Sequence, residues 1–312
     1  MNFLVTGGAG FIGSHLVDYL INKNHNVIVI DNLSSGKIEN LKNLSKIKFI
    51  NKNLLKTKLK KLGRINGIFH LAAQTSVPFS IDNFYKSSEN NLLSSLKIFE
   101  YARIKKLPII YASSSSIYGN ISLGNDEKNE FEILSPYALD KLTLERYAKI
   151  CWDVYKIPSI GLRFFNVFGP RQDASNYYSG VISIFINRLI KKKSIIINGG
   201  YQTRDFIYVK DVVKILYLSM KKTLKNKNLN ILNVGTGKSI SIDKLTKILI
   251  HKIKYKPKII RKKLQISDPE KSNGSFKKLN KVLGINSNHF TKFDASIEKT
   301  INFFKKVNNE NL

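Results

Sequence analysis

Short apolar runs alternate with longer amphipathic stretches along the first half of the chain. Five of the runs have the length of buried strands and lie at residues 2–6, 27–30, 47–50, 67–70 and 107–112. Helical periodicity fills stretches between them, among them 11–20 and 90–105. Strands that alternate with helices of roughly ten to fifteen residues predict an α/β fold with a doubly wound parallel sheet. In such a sheet, ligands gather at the carboxyl ends of the strands.

The first apolar run ends in a glycine-rich turn. Gly8, Gly10 and Gly13 have the spacing of a dinucleotide-binding turn, with a strand before it and a helix after it. Glycines there allow the backbone to approach a diphosphate, which then lies at the helix N-terminus. The residues of this turn that we expect to contact the cofactor are Gly7, Gly10, Phe11, Ile12 and Gly13.

An acidic residue stands where a dinucleotide site needs one. Asp31 ends the second apolar run, and a carboxylate there accepts hydrogen bonds from the adenosine ribose hydroxyls. The same charge repels a 2′-phosphate, so the sequence favours NAD over NADP. A polar loop follows, and we expect it to wrap the adenosine through Asn32, Ser35 and Gly36.

The fourth apolar run ends in residues that suit a backbone lying against a cofactor. The expected contacts there are Leu71, Ala72, Ala73 and Gln74. His70 precedes them and has two interpretations, a general base or a packed structural residue. We favour the structural interpretation, because a lone histidine at a strand end is more often packed.

Hydroxyl groups and a tyrosine–lysine pair follow the fifth run. Four serines at 113–116 open a loop at the carboxyl end of that strand, where hydroxyls point into the ligand crevice. Ser135 is a good N-cap and Pro136 suits the first helical position, so Tyr137 and Lys141 lie on one helix face. An ammonium and a nicotinamide ring beside a phenol lower its pKa from about 10, so this pair predicts a general base.

These segments resemble the extended short-chain dehydrogenases/reductases and, within them, the nucleotide-sugar 4-epimerases. The resemblance covers nearly the whole chain and rests on TGGAGFIGSHLVD from Thr6, DNLSSG from Asp31, HLAAQTSVP from His70, YASSSSIYG from Tyr111, SPYALDK from Ser135, LRFFNVFGPRQD from Leu162, QTRDFIYVKDVV from Gln202 and NVGTG from Asn233. It implies a Rossmann-type sheet with a smaller C-terminal α/β substrate domain. The NAD-binding domain is expected at 1–170, with returning segments near 205–240, and the interleaved substrate domain at 171–312.

The resemblance implies roles for the residues around the tyrosine. Tyr137 is the expected base, Lys141 its electrostatic partner and ribose ligand, and Ser114 the hydroxyl that binds the reacting sugar oxygen. Ser115 and Ser116 are expected to share or support the role of Ser114. Related dehydratases and decarboxylases carry an acid at one of these two positions, so the serines favour epimerisation.

By the same resemblance, residues after the sixth strand reach the cofactor and the substrate. Phe164 and Phe165 approach the nicotinamide, and Asn166 contacts the substrate diphosphate. Arg204 binds the diphosphate, with an ion pair to Asp205 as the structural alternative. The nucleotide contacts at the start of the next helix, which is expected to begin around Tyr178 and Ser179, are Gly180 and Val181.

Two stretches depart from the family pattern. At the end of the third strand the usual aspartate is replaced by Asn53, followed by Leu54, and the amide carbonyl is still expected to accept from the adenine amino group. The usual second diphosphate arginine falls on Gln265, with Arg261 as a substitute four residues earlier.

The sugar pocket is expected around two residues of the C-terminal segment. Asp268 matches the family's acid, and Ser272 falls where family members differ in size beside the sugar C2 substituent. A small residue leaves room for an acetamido group, and Gly274 and Ser275 are small as well. The stretch YSGVISIF also resembles the branch that acts on N-acetylated sugars. We therefore expect UDP-GlcNAc and UDP-GalNAc as substrates, with UDP-Glc and UDP-Gal also accepted.

Composition changes this picture little. The net charge is +30, but the basic residues are mostly lysine, with eight arginines, and are spread along the chain, so we expect no specific nucleic-acid partner. No run approaches the roughly 18 apolar residues of a membrane span. The first strand leaves no room for a signal peptide, and Cys151 is the single cysteine, so we expect a cytoplasmic, metal-free protein.

The expected activity is epimerisation at C4 of a UDP-sugar by transient oxidation, rotation of the 4-keto sugar and hydride return from bound NAD. Other nucleotide-sugar enzymes of the family are the alternative, namely a UDP-glucuronate 4-epimerase, a dehydratase or a reductase. A remote alternative is a non-catalytic NAD-binding or polyanion-binding protein, which has no need of Ser114, Tyr137 and Lys141 together. Related enzymes pair through the helices near 90–105 and 137–155, so we expect a homodimer.

Overall fold

The computed structural model describes residues 1–174, 180–264 and 268–309. Its strands are β1 (Asn2–Thr6), β2 (Asn26–Asp31), β3 (Ile47–Asn51), β4 (Gly67–His70), β5 (Ile109–Ser114), β6 (Ser159–Phe164), β7 (Asn166–Phe168), β8 (Ile195–Asn198), β9 (Thr203–Tyr208), β10 (Leu229–Val234), β11 (Ser239–Ser241), β12 (Ile259–Lys262) and β13 (Lys271–Ser272). Its helices are α1 (Phe11–Asn22), α2 (Val77–Asp82), α3 (Phe84–Ser88), α4 (Ser94–Lys105), α5 (Pro136–Tyr155), α6 (Val181–Ile190), α7 (Val209–Lys225), α8 (Ile242–Ile253), α9 (Lys277–Leu283) and α10 (Phe293–Asn309).

Seven strands form a parallel sheet in the order β3-β2-β1-β4-β5-β6-β10. Successive side chains of each strand point to opposite faces, so Phe3 and Val5 enter one core while Leu4 enters the other. Helices α1 and α7 cover the first face, and α4 and α5 cover the second. The predicted doubly wound α/β fold is confirmed.

A smaller set of strands lies after the large sheet's sixth strand. β9 pairs with β7 and β13 in parallel and with β11 antiparallel, and β8 pairs with β12. A third apolar core, which includes Phe168, Ile186, Leu249 and Ile301, joins these strands to α6, α8 and α10. This arrangement carries Arg204 and Ser272 on adjacent strands.

The elements differ from the prediction in three places. β5 extends to Ser114, because Ser113 and Ser114 pair with β6, so the predicted loop begins two residues later. A π-helical turn at Glu89–Leu93 precedes α4, where a continuous helix was expected. Residues 203–208 lie in the smaller sheet, although a return to the large sheet was expected there, whereas β10 does join the large sheet. The predicted helix residues Tyr178 and Ser179 lie outside the described residues.

Among the described residues, no helix has the length and apolar character needed to cross a membrane.

Candidate active site

The glycine turn between β1 and α1 is closed against a neighbouring strand end. Gly7 has a φ of +71°, and a Cβ there would lie 2.7 Å from the backbone nitrogen of Ala72. A Cβ on Gly13 would lie 2.1 Å from the carbonyl oxygen of Gly7. Gly10 is the N-cap of α1 and makes no side-chain cap, so the first N–H groups of the helix are left for a ligand. This turn fits a dinucleotide diphosphate. The first turn of α1 holds the predicted contacts Phe11, Ile12 and Gly13.

Asp31 lies at the carboxyl end of β2, beside the glycine turn. Its oxygens accept hydrogen bonds from the backbone nitrogens of Ala9 and Leu33, each at 2.9 Å. The predicted adenosine loop folds back on the turn, since a Cβ on Gly36 would lie 2.9 Å from the Ala9 carbonyl carbon. Ser35 and the neighbouring Asn32 are exposed at its rim. The residues of the loop therefore surround the position where a ribose would meet the Asp31 carboxylate.

Asn53 has a local partner already. Its Oδ1 accepts from the backbone nitrogen of Leu55 at 2.8 Å and caps the short helical turn that begins at the buried Leu54. One lone pair of this oxygen is thereby used, and the second stays available for an adenine amino group.

The end of β4 is held by buried hydrogen bonds. His70 is 2 % exposed, its Nδ1 lies 2.8 Å from Thr6 Oγ1, and its Nε2 lies 2.8 Å from Ser95 Oγ. Burial, with a smaller contribution from Lys141, lowers the pKa of His70 to about 3. Both ring nitrogens have partners, so the favoured structural interpretation of His70 agrees with this geometry. The following residues Leu71, Ala72, Ala73 and Gln74 are half-buried, and Gln74 N donates to Asn91 Oδ1.

Ser114, Tyr137 and Lys141 come together between β5 and α5. Ser135 accepts from the Ala138 nitrogen as the N-cap of α5, with a proline at the first position, as predicted. The Ser114 side chain lies beside the Tyr137 phenol, close enough to lower the pKa of Tyr137. The Lys141 Nζ lies 5.6 Å from the centre of the Tyr137 ring and donates to the Ala112 carbonyl at 2.9 Å.

Burial dominates the protonation of this cluster. It raises the pKa of Tyr137 to about 12, against a smaller lowering by the Ser114 hydrogen bond. It lowers the pKa of Lys141 to about 8, against the opposing charge of Asp140. We expected a lowered tyrosine pKa beside the lysine and a nicotinamide ring, and the protein without cofactor has a raised one, because desolvation of the phenolate outweighs the Ser114 hydrogen bond and the charge of Asp140 adds to it.

Ser115 and Ser116 lie in the 3₁₀ turn Ser115–Tyr118 that follows β5. The Ser116 backbone nitrogen donates to Ser114 Oγ at 3.1 Å, which fixes the position of that hydroxyl. The Ser116 Oγ is buried and has no hydrogen-bond partner. Both positions carry a hydroxyl group, and neither carries a carboxylate.

Two buried carboxylates on α5 were missed by the sequence analysis. Asp140 accepts from Ser88 Oγ at 2.8 Å, and Glu145 forms a buried ion pair with Arg163 at 2.6 Å. Glu145 lies four residues after Lys141, so a longer reading of the stripe that begins at Tyr137 would have found it.

The substrate residues predicted from the resemblance are brought together in part. Arg204 on β9 is 7 % exposed and forms an ion pair with Asp268, and it pairs with Ser272 on β13. The structural alternative for Arg204, an ion pair with Asp205, does not form, because neighbouring residues of a strand point to opposite faces. Asp205 instead accepts from the Thr236 and Gly237 nitrogens.

Arg261, the suggested second diphosphate arginine, has local partners in this structure. It lies on β12 and binds the Asp243 carboxylate at 2.9 Å and the Gly199 carbonyl at 3.1 Å. This ion pair is exposed to solvent, so Arg261 would have to leave it to act as the second diphosphate arginine, and that role stays a prediction. Gln265 lies outside the described residues.

Other predicted contacts lie at the beginnings of two elements. Phe164 ends β6 and Asn166 begins β7, which pairs with β9. Gly180 is the N-cap of α6, and Val181 is its first residue. Gly180 is exposed, and a Cβ there would lie 2.7 Å from Gln172 Nε2, the end of a flexible side chain.

Two open grooves border the described part of the chain. One of about 510 Å³ lies beside Asp268 and is lined also by Asn120, Ser122, Tyr201 and Lys271. The other, of about 810 Å³, lies near Asn2 and His25, at the amino ends of the strands. In parallel sheets ligands bind at the carboxyl ends, so the groove near Asn2 lies away from the ligand-binding ends, whereas the groove beside Asp268 is lined by one predicted substrate residue. No group of three or more metal-ligating side chains occurs within 1–174, 180–264 and 268–309.

The profile of the NAD dependent epimerase/dehydratase family matches residues 3–235. The chain belongs to this family. It is 40 % identical over 264 residues to the putative UDP-glucose 4-epimerase of Methanocaldococcus jannaschii, covering 82 % of this chain and 84 % of the relative.

Solved structures of the NAD dependent epimerase/dehydratase type superpose closely on the chain. The UDP-N-acetylglucosamine 4-epimerase from Methanobrevibacter ruminantium M1, in complex with UDP-N-acetylmuramic acid, gives a TM-score of 0.91 at 36 % identity and covers 98 % of both chains. The UDP-glucose 4-epimerase of Thermotoga maritima with UDP-glucose gives 0.92 at 33 % identity, covering 98 % and 99 %. The expected resemblance and the NAD cofactor are confirmed.

Proposed function

We propose that the chain is an NAD-dependent 4-epimerase of a UDP-sugar, with UDP-GlcNAc and UDP-GalNAc as the first substrates and UDP-Glc and UDP-Gal as further ones. The observation that carries the proposal is the contact of Ser114 with Tyr137 beside the buried Lys141. This cluster stands at the same strand ends as the glycine turn. Similarity to UDP-sugar 4-epimerases over almost the whole chain supports the proposal.

In this proposal each residue of the cluster has one task. NAD, when bound, supplies a reversible hydride acceptor for C4 of the sugar. Tyr137 takes the proton of the 4-hydroxyl, and Ser114 donates a hydrogen bond to the 4-oxygen. Lys141 binds the ribose and favours the phenolate, since a tyrosine pKa of about 12 is too high for a base at neutral pH. Ser115 and Ser116 support Ser114.

Elimination is the alternative that this site favours least. A dehydratase or decarboxylase needs an acid–base group beside the oxidised sugar, and the turn after β5 offers Ser115 and Ser116 there. A UDP-glucuronate 4-epimerase or a reductase uses the same three residues and differs in the sugar or in net redox change. A sensor or polyanion-binding protein has no need of a buried tyrosine–lysine–serine cluster.

The nucleotide sugar is proposed to lie across the smaller sheet. Arg204 exchanges its ion pair with Asp268 for the diphosphate of the substrate. Asp268 is half-exposed, so its carboxylate can then turn toward the ribose of the UDP-sugar. Asn166 contacts the diphosphate, and the start of α6 at Gly180 and Val181 borders the nucleotide. We propose residues 1–170 as the NAD-binding domain, joined by α7 and β10 from the predicted returning stretch 205–240, and 171–312 otherwise as the substrate domain.

The proposed sugar preference follows from the small side-chain volume at Ser272. Ser272 in β13 is the direct register partner of Arg204 in β9, and the small residues Gly274 and Ser275 follow it. A small side chain leaves space for an acetamido group, which a tyrosine would fill. This supports UDP-GlcNAc and UDP-GalNAc as substrates.

We propose that the protein is cytoplasmic and forms a homodimer through the exposed face of α5. Three apolar side chains on this helix are largely exposed, with exposed fractions of 53 % for Leu139, 53 % for Ile150 and 62 % for Val154. A cluster of exposed apolar side chains is typical of a surface that binds another protein. Leu93, next to α4, is 48 % exposed. Sedimentation of the purified protein is expected to give a dimer mass, and a concentration-independent monomer would contradict the pairing.

The function is tested with a panel of UDP-sugars and no added cofactor. Wild type should convert UDP-GlcNAc to UDP-GalNAc, while Tyr137→Phe should lower turnover by at least about 10²-fold with unchanged NAD content. Tyr111→Phe is the matched control, because the Tyr111 hydroxyl is buried without a partner. Wild type that converts no UDP-sugar, or that requires added NADPH and consumes it, would contradict the proposal.

A further inference from the structure

A chain of buried hydrogen bonds runs behind the catalytic cluster. It begins at Ser113, whose Oγ donates to Glu145 Oε1 at 2.5 Å. Arg163 binds both oxygens of Glu145, at 2.8 and 2.6 Å. Each of these side chains is at most 3 % exposed. The network therefore joins the strand that carries Ser114, the helix that carries Tyr137 and the strand that precedes Asn166.

The same network continues to the segment that follows β13. Arg163 Nη1 donates to the Tyr118 hydroxyl at 2.6 Å, and that hydroxyl donates to Asn233 Oδ1 at 2.8 Å. Asn233 Nδ2 donates to the carbonyls of Gly124 at 3.1 Å and Ser275 at 3.0 Å. Asn233 is fully buried, so these bonds have no competition from solvent.

The far end of the network borders the proposed sugar pocket. Gly124 N donates to the Asn273 carbonyl at 2.9 Å, and Ser275 N donates to the Gly124 carbonyl at 2.8 Å. A Cβ on Gly274 would lie 2.4 Å from the Phe165 ring, so the segment is packed directly on the residue after β6. The backbone after Ser272 is thus fixed by Asn233.

Tyr118 is the single hydroxyl that joins the two halves of this network. A phenol accepts from a guanidinium and donates to an amide oxygen at once, and no apolar side chain of similar shape can do either. We propose that Tyr118 is a positioning residue, which sets the 272–275 segment relative to Ser114 and Tyr137 and thereby the fit of the sugar. The proposal rests on the proposed function for the identity of the sugar nucleotide.

The test compares Tyr118→Phe with Tyr111→Phe in the full-length protein, using calorimetric binding of UDP and of UDP-GlcNAc. Both variants remove one buried tyrosine hydroxyl, but the Tyr111 hydroxyl has no partner. Tyr118→Phe should weaken UDP-GlcNAc about tenfold more than UDP, leave NAD content unchanged, and raise KM more than it lowers kcat. Tyr111→Phe should bind both as wild type does.

A second variant covers the case in which Tyr118→Phe folds poorly. Asn233→Leu keeps the side-chain shape and removes the bonds to Gly124 and Ser275, so it should give the same selective loss of UDP-GlcNAc. The double variant should lose no more than either single one, because both act through one connection.

Equal weakening of UDP and UDP-GlcNAc in Tyr118→Phe, multiplying effects in the double variant, or no effect at all would overturn the positioning role. Wild type that binds UDP-GlcNAc without epimerising it would remove the proposed function while the binding comparison still decides on Tyr118. Wild type that binds neither ligand would overturn both.

Discussion

The two sides of the site are built in different ways. The cofactor side, residues 6–36 and 70–74, is shaped by backbone contacts, such as Gly13 against the carbonyl of Gly7. The substrate side, which comprises Arg204 and residues 268–275, is shaped by side chains from segments far apart in sequence. The pairing of Arg204 with Asp268 spans 64 residues. Backbone geometry should therefore tolerate little change on the cofactor side, while side-chain exchange should tune the substrate side.

The largest effect is expected from substituting a glycine in the turn between β1 and α1. Gly13→Ala places a Cβ 2.1 Å from a backbone oxygen that cannot move away. An overpacked site that does not relax costs about 3 kcal/mol or more, so NAD retention should fall at least about 10²-fold or the protein should fail to fold. The measurement is NAD released per protomer on denaturation, together with the melting temperature.

Gly10→Ala is the control for that substitution. Its Cβ would have its nearest neighbour at 3.2 Å, and Gly10 has a φ of −73°, which alanine adopts freely. Because Gly10 is itself an expected cofactor contact, Gly10→Ala should lower NAD retention but keep the wild-type melting temperature, since a few tenths of an ångström of movement relieves its contact within the protein. Equal melting temperatures of Gly13→Ala and Gly10→Ala would show that steric contacts within the turn do not define the cofactor side.

A smaller effect is expected on the substrate side. Ser272→Tyr should lower the kcat/KM ratio of UDP-GlcNAc to UDP-Glc by about tenfold or more, because the added ring occupies the acetamido space. Ser272→Ala adds no volume and should keep the wild-type ratio. The measurement is kcat/KM for both sugars in the three proteins, and a tyrosine variant that slows both sugars alike would place the selectivity elsewhere.

The smallest effect is expected from acid, again on the cofactor side. Burial lowers the pKa of His15 to about 4 and that of His70 to about 3. Below pH 6.5 these histidines bind a proton in the unfolded chain but stay neutral in the folded chain. The free energy of unfolding therefore falls by up to about 1.4 kcal/mol per histidine for each pH unit of acidification. This loss begins near pH 6.5 and ends near the folded pKa.

His15→Gln isolates that loss from the carboxylates that titrate in the same range. His15 Nε2 lies 2.9 Å from the Pro170 carbonyl, a contact that a glutamine amide can also make. The melting temperature of the variant should fall less than that of wild type between pH 7 and pH 5. Equal falls in melting temperature for wild type and variant would mean that the folded protein protonates His15 as readily as the unfolded chain does.

The sequence was most informative where structure is local. The start of α1 at Phe11, the N-cap Ser135 and the spacing of Tyr137 from Lys141 depend on neighbours within a few residues. Strand alternation and the glycine turn were sufficient to predict the doubly wound sheet.

Contacts between segments that are far apart in the sequence could not be predicted from local patterns. The alternative interpretation of Arg204 as a partner of Asp205 is wrong, since adjacent strand residues face opposite ways, and Arg204 pairs with Asp268, which lies after β12. The link from Tyr118 to Asn233 spans 115 residues and has no local pattern. The tyrosine pKa also differed, because burial of the phenol depends on the packed fold and not on the spacing of charges.

The central claim is tested most directly with UDP-GlcNAc that carries deuterium at C4. Wild-type protein, with no added cofactor and in ordinary water, should yield UDP-GalNAc that retains the deuterium at C4, because the label never leaves the closed site. The readout is mass and NMR analysis of the purified product. Product with hydrogen from solvent at C4, or no change of configuration at C4, would contradict the account.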